Sequence, residues 1–75
     1  MPATAASDQA PAVEQPKHPL HALTTYELTG YRRQLERAIT FFDQQQPVPP
    51  VRAVMQARLD AVIAEQDDRA RIARA

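Results

Sequence analysis

There is no cysteine in this chain of 75 residues. No disulfide can staple it, and no thiolate is present to bind zinc or attack a substrate. Gly30 is the only glycine, which rules out a glycine-rich loop cradling phosphate. No apolar run is long enough to span a bilayer, so insertion as a membrane helix is excluded. Met1-Pro2-Ala3-Thr4-Ala5-Ala6-Ser7-Asp8 lacks the basic start and apolar stretch of a secretion signal, and the expectation is a cytoplasmic protein. Nor is there an excess of either charge. Nine basic residues balance nine acidic ones, so the global field attracts neither nucleic acid nor anionic lipid. Eight of the nine basic residues are arginine and alanine is abundant, a skew that the codon bias of a GC-rich genome accounts for.

What is present divides at about Pro19. Residues 1 to 19 hold four of the seven prolines, and Val13 and Met1 are their only larger aliphatic residues. Such a stretch buries too little to offset the entropy of ordering it, and is expected to be a disordered tail. From Leu20 to the end the pattern is helical, interrupted by Gln46-Pro47-Val48-Pro49-Pro50. Those prolines lack N–H donors and drive the residues before them out of helical angles, while Pro50 suits the first position of a second helix. The fold expected is all-α: an antiparallel hairpin over residues 20 to 75, with helices at about 24–45 and about 50–73.

The start of the first helix is written in Leu23-Thr24-Thr25-Tyr26-Glu27-Leu28. Thr24 caps the free N–H groups, Glu27 reaches back to the Thr24 N–H, and Leu23 packs on Leu28 across the turn. At about 100° per residue, Leu28, Tyr31, Leu35, Ala38, Ile39 and Phe42 fall in one stripe, the width of a buried face. Leu28, Leu35 and Phe42 repeat by sevens, a short coiled-coil-like seam. Tyr26, Gly30 and Phe41 lie opposite. Glycine in a helix costs about 1 kcal/mol relative to alanine, so Gly30 either admits another backbone or is tolerated. Phe41 marks either a second contact surface or a singly exposed apolar residue of the ordinary kind.

In the second helix Val51, Met55, Leu59, Val62, Ile63, Ala70 and Ala73 form the apolar face, which Gln66 interrupts; the last two turns are expected to fray. Ala53, Ala57, Ala61 and Ala64 gather on a flank with Val54 and Ile72 at its edge. Alanine there is either a strong helix former facing solvent or the lining of a close-packed contact with another helix. Glu65 with Arg69, and Asp67 with Arg71, are spaced four apart with the acid first and read as a solvated face. Each helix thus has one stripe, and two stripes make a single layer that leaves apolar surface open. Self-association into a four-helix bundle, or docking on a larger protein, would cover it.

The chemical inventory is thin. His18 and His21 flank Pro19-Leu20, but structural zinc needs more ligands than this pair supplies. Ser7 falls in the tail, no base is fixed beside it, and Asp67 and Asp68 point in different directions on a helix. Neither catalysis, nor a cofactor or metal, nor a small-molecule substrate is implied. Arg32, Arg33 and Arg37 crowd one helix and form a possible phosphate-contacting patch. Against that, Glu36 partly neutralises them, the stem of Arg32 covers leucine surface, and the helix-turn-helix arrangement is missing.

The combination of Leu23-Thr24-Thr25-Tyr26-Glu27-Leu28, Tyr31-Arg32-Arg33-Gln34-Leu35-Glu36 and Arg58-Leu59-Asp60-Ala61-Val62-Ile63-Ala64-Glu65-Gln66 resembles short uncharacterised helical proteins of GC-rich actinobacteria. The resemblance spans residues 20 to 72 at most. It implies an intracellular bacterial setting and transfers no site residue. The function expected is a small non-catalytic protein–protein interaction module, a homodimer or an accessory or regulatory subunit of a larger protein. Its anchors would be Tyr31, Leu35, Phe42, Met55, Leu59 and Val62 at the seam, with Tyr26 and Phe41 on a second surface. The alternative is a small regulator that binds nucleic acid or the transcription machinery through Arg32, Arg33 and Arg37.

Overall fold

Helix α1 runs over Thr25–Asp43 and helix α2 over Val51–Arg74 in the computed structural model, which describes residues 11–74. A single 3-10 turn, Leu20–Ala22, precedes α1, and no strand is found among the described residues. The start of α1 follows from the sequence. The Glu27 N–H donates to Thr24 Oγ1 at 3.0 Å, and the Thr24 N–H donates to Glu27 Oε1 at 2.8 Å, completing the reciprocal cap. Leu23 and Leu28, on either side of that cap, both lie in the core. At the other end, the Gln44 and Gln45 N–H groups donate to the carbonyls of Phe41 and Phe42, which tightens the last turn before the prolines. The Gln46–Pro47 peptide bond is cis.

The two helices run antiparallel. Asp43 meets Arg52 beside the turn, Arg32 meets Gln66 farther out, and Leu23 meets Arg69 at the open end, so partners separate in sequence as they recede from the connection. The helices begin and end within a residue or two of the expected boundaries, the usual uncertainty at helix termini. α2 starts after Pro50, whose carbonyl accepts the Ala53 N–H. It stays helical to Arg74 through the turns expected to fray, although every side chain from Ala70 to Arg74 is exposed.

The core is one layer thick. α1 contributes Leu28, Tyr31, Leu35, Ala38 and Ile39, α2 contributes Met55, Leu59 and Val62, and Leu23 closes the open end. Phe42 and Ile63 pack half-buried at its margins. The expected face of α2 is thus shorter than its sequence suggested. Val51 sits beside the proline turn past the end of α1 and is exposed, while Ala70, which borders a depression with Thr25 and Leu28 of α1, and Ala73 are exposed as well. All nine buried residues are apolar and no buried side-chain polar atom lacks a partner among the described residues. This agrees with the high cost of leaving such groups unpaired.

Residues 1–10 of the expected tail lie outside the described residues. Residues 11–19 have no regular secondary structure, yet they are laid against the hairpin. Val13 packs on the core, the Glu14 N–H donates to Gln34 Oε1 at 2.8 Å, and Arg58 Nη1 donates to Gln15 Oε1 at 2.8 Å. The segment could not order itself by its own burial. It is held because both helices offer it side chains.

Candidate functional site

The residues proposed as anchors separate into three groups. Tyr31, Leu35, Met55, Leu59 and Val62 are buried in the seam between α1 and α2, where Leu35 and Val62 have no exposed area at all. They hold the hairpin closed and offer no surface in that state. Phe42 is half-buried at the seam's end, and Phe41 beside it is also half-buried, not fully exposed as its position opposite the stripe suggested. The reason is aromatic pairing: the two rings meet edge to face, with centroids 5.7 Å apart and planes at 78°. Tyr26 is the outward anchor, 88% exposed on the first turn of α1.

A continuous small-residue flank lies on α2. Val54, Ala57, Ala61 and Ala64 are spaced by three and four residues, and all are exposed; Ile72 lies two turns beyond Ala64 on the same side. Ile72 is 72% exposed and Val54 47%. Large aliphatic side chains in that position add little to the hairpin core, since the described residues leave much of their area uncovered. Around Gly30 on α1 there is open space: a Cβ built there finds no neighbouring atom within 4 Å among the described residues. It lines an open groove of about 440 Å³ with Tyr26, Leu23, Lys17 and His18.

Of the two charge pairs expected on a solvated face, that of Arg71 stays exposed, whereas that of Arg69 turns out to be a structural tie. Arg69 Nε donates to Oε2 of its i,i+4 partner Glu65 at 2.9 Å, but its Nη2 turns inward and donates to the backbone carbonyls of Leu23 at 2.7 Å and of Leu20 and His21 at 3.3 Å. Leu20 and His21 lie in the 3-10 turn and Leu23 ends it, so one planar guanidinium ties the carbonyls of the turn and its cap to α2. Arg71 pairs with Asp68, three residues back, instead of Asp67. Arg52 binds Asp43 through both nitrogens and braces the turn. Gln66, which the sequence presents as a break in the apolar face, accepts from Arg32 Nη1 at 2.8 Å across the hairpin. A polar residue on a core stripe facing an arginine in antiparallel register was the available signal for that contact.

This bears on the arginine patch. Arg32 is engaged by Gln66 and by Glu36, whose Oε2 lies 3.1 Å from its Nε. Arg33 and Arg37 are exposed and make no ion pair among the described residues; with Glu36 and Thr40 they border a shallow depression. Of the three arginines, two are left to face solvent. His18 and His21 are both exposed. Among the described residues no three of the His, Asp and Glu side chains come together as metal ligands would. Glu27 is the perturbed carboxylate of the region, held below its ordinary value of 4.5 by the Thr24 N–H and hydroxyl and, to a smaller degree, by His18. No described helix is long and apolar enough to cross a membrane. Compared with protein-family models, with curated proteins and with solved structures, the chain finds no match.

Proposed function

We propose that this chain is a small non-catalytic protein–protein interaction module, which completes its apolar surface by pairing with a second copy or by docking as an accessory subunit on a larger protein. The supporting observation is the uncovered flank of α2, where Val54 and Ile72 remain exposed at either end of a row of alanines. Small side chains let a second helix approach closely, and the larger residues at the two ends supply anchoring area. Tyr26, rigid and amphipathic, is a second contact of the kind enriched at interfaces.

Sedimentation equilibrium of the purified chain, alone and with partners captured from its native host, tests this reading. Val54→Asp with Ile72→Asp is expected to abolish association while leaving helicity unchanged, because neither side chain is in the core. Association unaffected by both substitutions would refute the assignment of the flank. A second reading, phosphate contact by Arg33 and Arg37, has narrower support: two exposed guanidinia without ion-pair partners among the described residues. It requires nucleic-acid binding that falls steeply with salt and is lost in Arg33→Ala with Arg37→Ala.

A further inference from the structure

Residues 11–19 cross the crease between α1 and α2 as a strap, and the hairpin grips that strap in a particular way. One helix reads its backbone, through the Gln34 side chain accepting the Glu14 N–H; the other reads a side-chain amide, through Arg58 donating to Gln15. Just before these ties Val13 packs on the core, and just after them Pro16 lies beside Tyr31, Arg58 and Ala61. Binding an irregular chain by one backbone bond, one side-chain bond and one aliphatic contact is the pattern of peptide recognition, in which main-chain bonds give affinity and adjacent pockets give selectivity.

The grip is also uneven. Both strap bonds are solvent-exposed, so each is weakly stabilising. The downstream end, by contrast, is anchored where Arg69 binds three carbonyls of the turn. The strap can therefore lift from the crease while its root at Leu20–Leu23 stays in place and the helices stay closed.

We propose that this crease is a binding site for an extended, proline-containing peptide, that residues 11–19 occupy it in cis, and that a partner segment of the same chemistry competes for it. That chemistry is a β-branched residue, then a free backbone N–H, then a side-chain amide, followed by proline. The site meets the outer flank of α2 at Ala61, but its polar ties run through Gln34 and Arg58, outside that flank, and the peptide test below reads those ties and not self-association. Because the strap is tethered, its effective concentration is in the millimolar range, and a peptide in solution meets a site that is mostly filled.

The test uses the full chain, labelled with ¹⁵N, and a synthetic peptide corresponding to residues 11–19, Pro-Ala-Val-Glu-Gln-Pro-Lys-His-Pro. Val13→Asp combined with Gln15→Ala frees the crease. This variant is expected to bind the peptide about tenfold more tightly than the unaltered chain, since the affinity is reduced by the fraction of molecules whose site is open. Shifts should appear at the Gln34 side-chain amide and near Tyr31 and Arg58, and adding Arg58→Ala should remove most of the gain. If Val13→Asp disturbs the helices, Glu14→Pro deletes the donor at an exposed position and serves the same purpose. No binding by a helical, strap-freed variant at roughly millimolar peptide, equal affinities for freed and unaltered chains, or equal binding of a scrambled peptide would each overturn the proposal.

Discussion

Arg69→Ala should be among the most damaging substitutions of a charged residue in this chain, although Arg69 belongs to a pair that sequence spacing alone places on a solvated helix face. Its side chain is 30% exposed and that of Glu65 21%. Removing it takes a charged donor from the Leu23 carbonyl, weakens the ties to Leu20 and His21, and leaves Glu65 without its partner. Hydrogen bonds to a charged group contribute about 1.5–3 kcal/mol where water is excluded. With one short bond, two long ones and partial exposure, the lower half of that range applies, about 1.5–2 kcal/mol. In a domain this small such a loss lowers the melting temperature by roughly 6–16 °C. Arg71→Ala is the control, since its pair with Asp68 is 75% and 55% exposed and should contribute under about 0.5 kcal/mol. Arg69→Lys keeps the charge but not the planar fork, and should recover less than half of the loss. Thermal melts by circular dichroism at one fixed concentration give the comparison. If Arg69→Ala melts with Arg71→Ala, the guanidinium does not tie the turn to α2 and the reasoning fails.

The other expectations are simpler. Gly30→Ala should stabilise α1 by about 1 kcal/mol, because the added methyl meets open space; a destabilised variant in a melt would show a close neighbour there. Leu35→Ala, at a position with no exposed area, should cost about 2–5 kcal/mol and abolish the transition, whereas a melt unchanged from that of the unaltered chain at the same concentration would show that this position does not carry the core. Glu27 is held below its ordinary value of 4.5 by the cap, so its contribution is present above that value and is lost as pH falls through the lower folded one. Melts below pH 4.5 should therefore narrow the difference between the unaltered chain and Glu27→Gln, and an unchanged difference would contradict the cap's electrostatic role.

The parts of this fold legible in the sequence are those set by short-range rules. Thr24 and Glu27 are three apart, so the cap could be read without knowing the rest of the chain. Leu28, Tyr31, Leu35, Ala38 and Ile39 follow the helical period, and all five are buried. The second helix was less legible. Val51, Ala70 and Ala73 have the right periodicity but are exposed, and how much of a stripe the neighbouring helix covers is not a local property. Long-range polar ties were invisible for the same reason. Arg69 contacts carbonyls 46 to 49 residues away, and a backbone acceptor carries no residue identity to recognise. The strap illustrates the converse: its composition predicts that it cannot order alone, while its docking depends on Gln34 and Arg58, two residues that look like ordinary helix surface. Of the candidate site, Tyr26 and the alanine flank could be named from spacing, but only the packed hairpin shows which of the apolar residues are already consumed.

We propose that this one-layer hairpin, with its flank uncovered among the described residues, depends on a second surface. Thermal unfolding followed over a wide dilution series measures this directly. The expected result is a transition that is broad and low at micromolar concentration and moves up as concentration, or a captured partner, increases. A sharp transition at high temperature that stays in place across the whole series, from a species that sediments as a monomer, would contradict it.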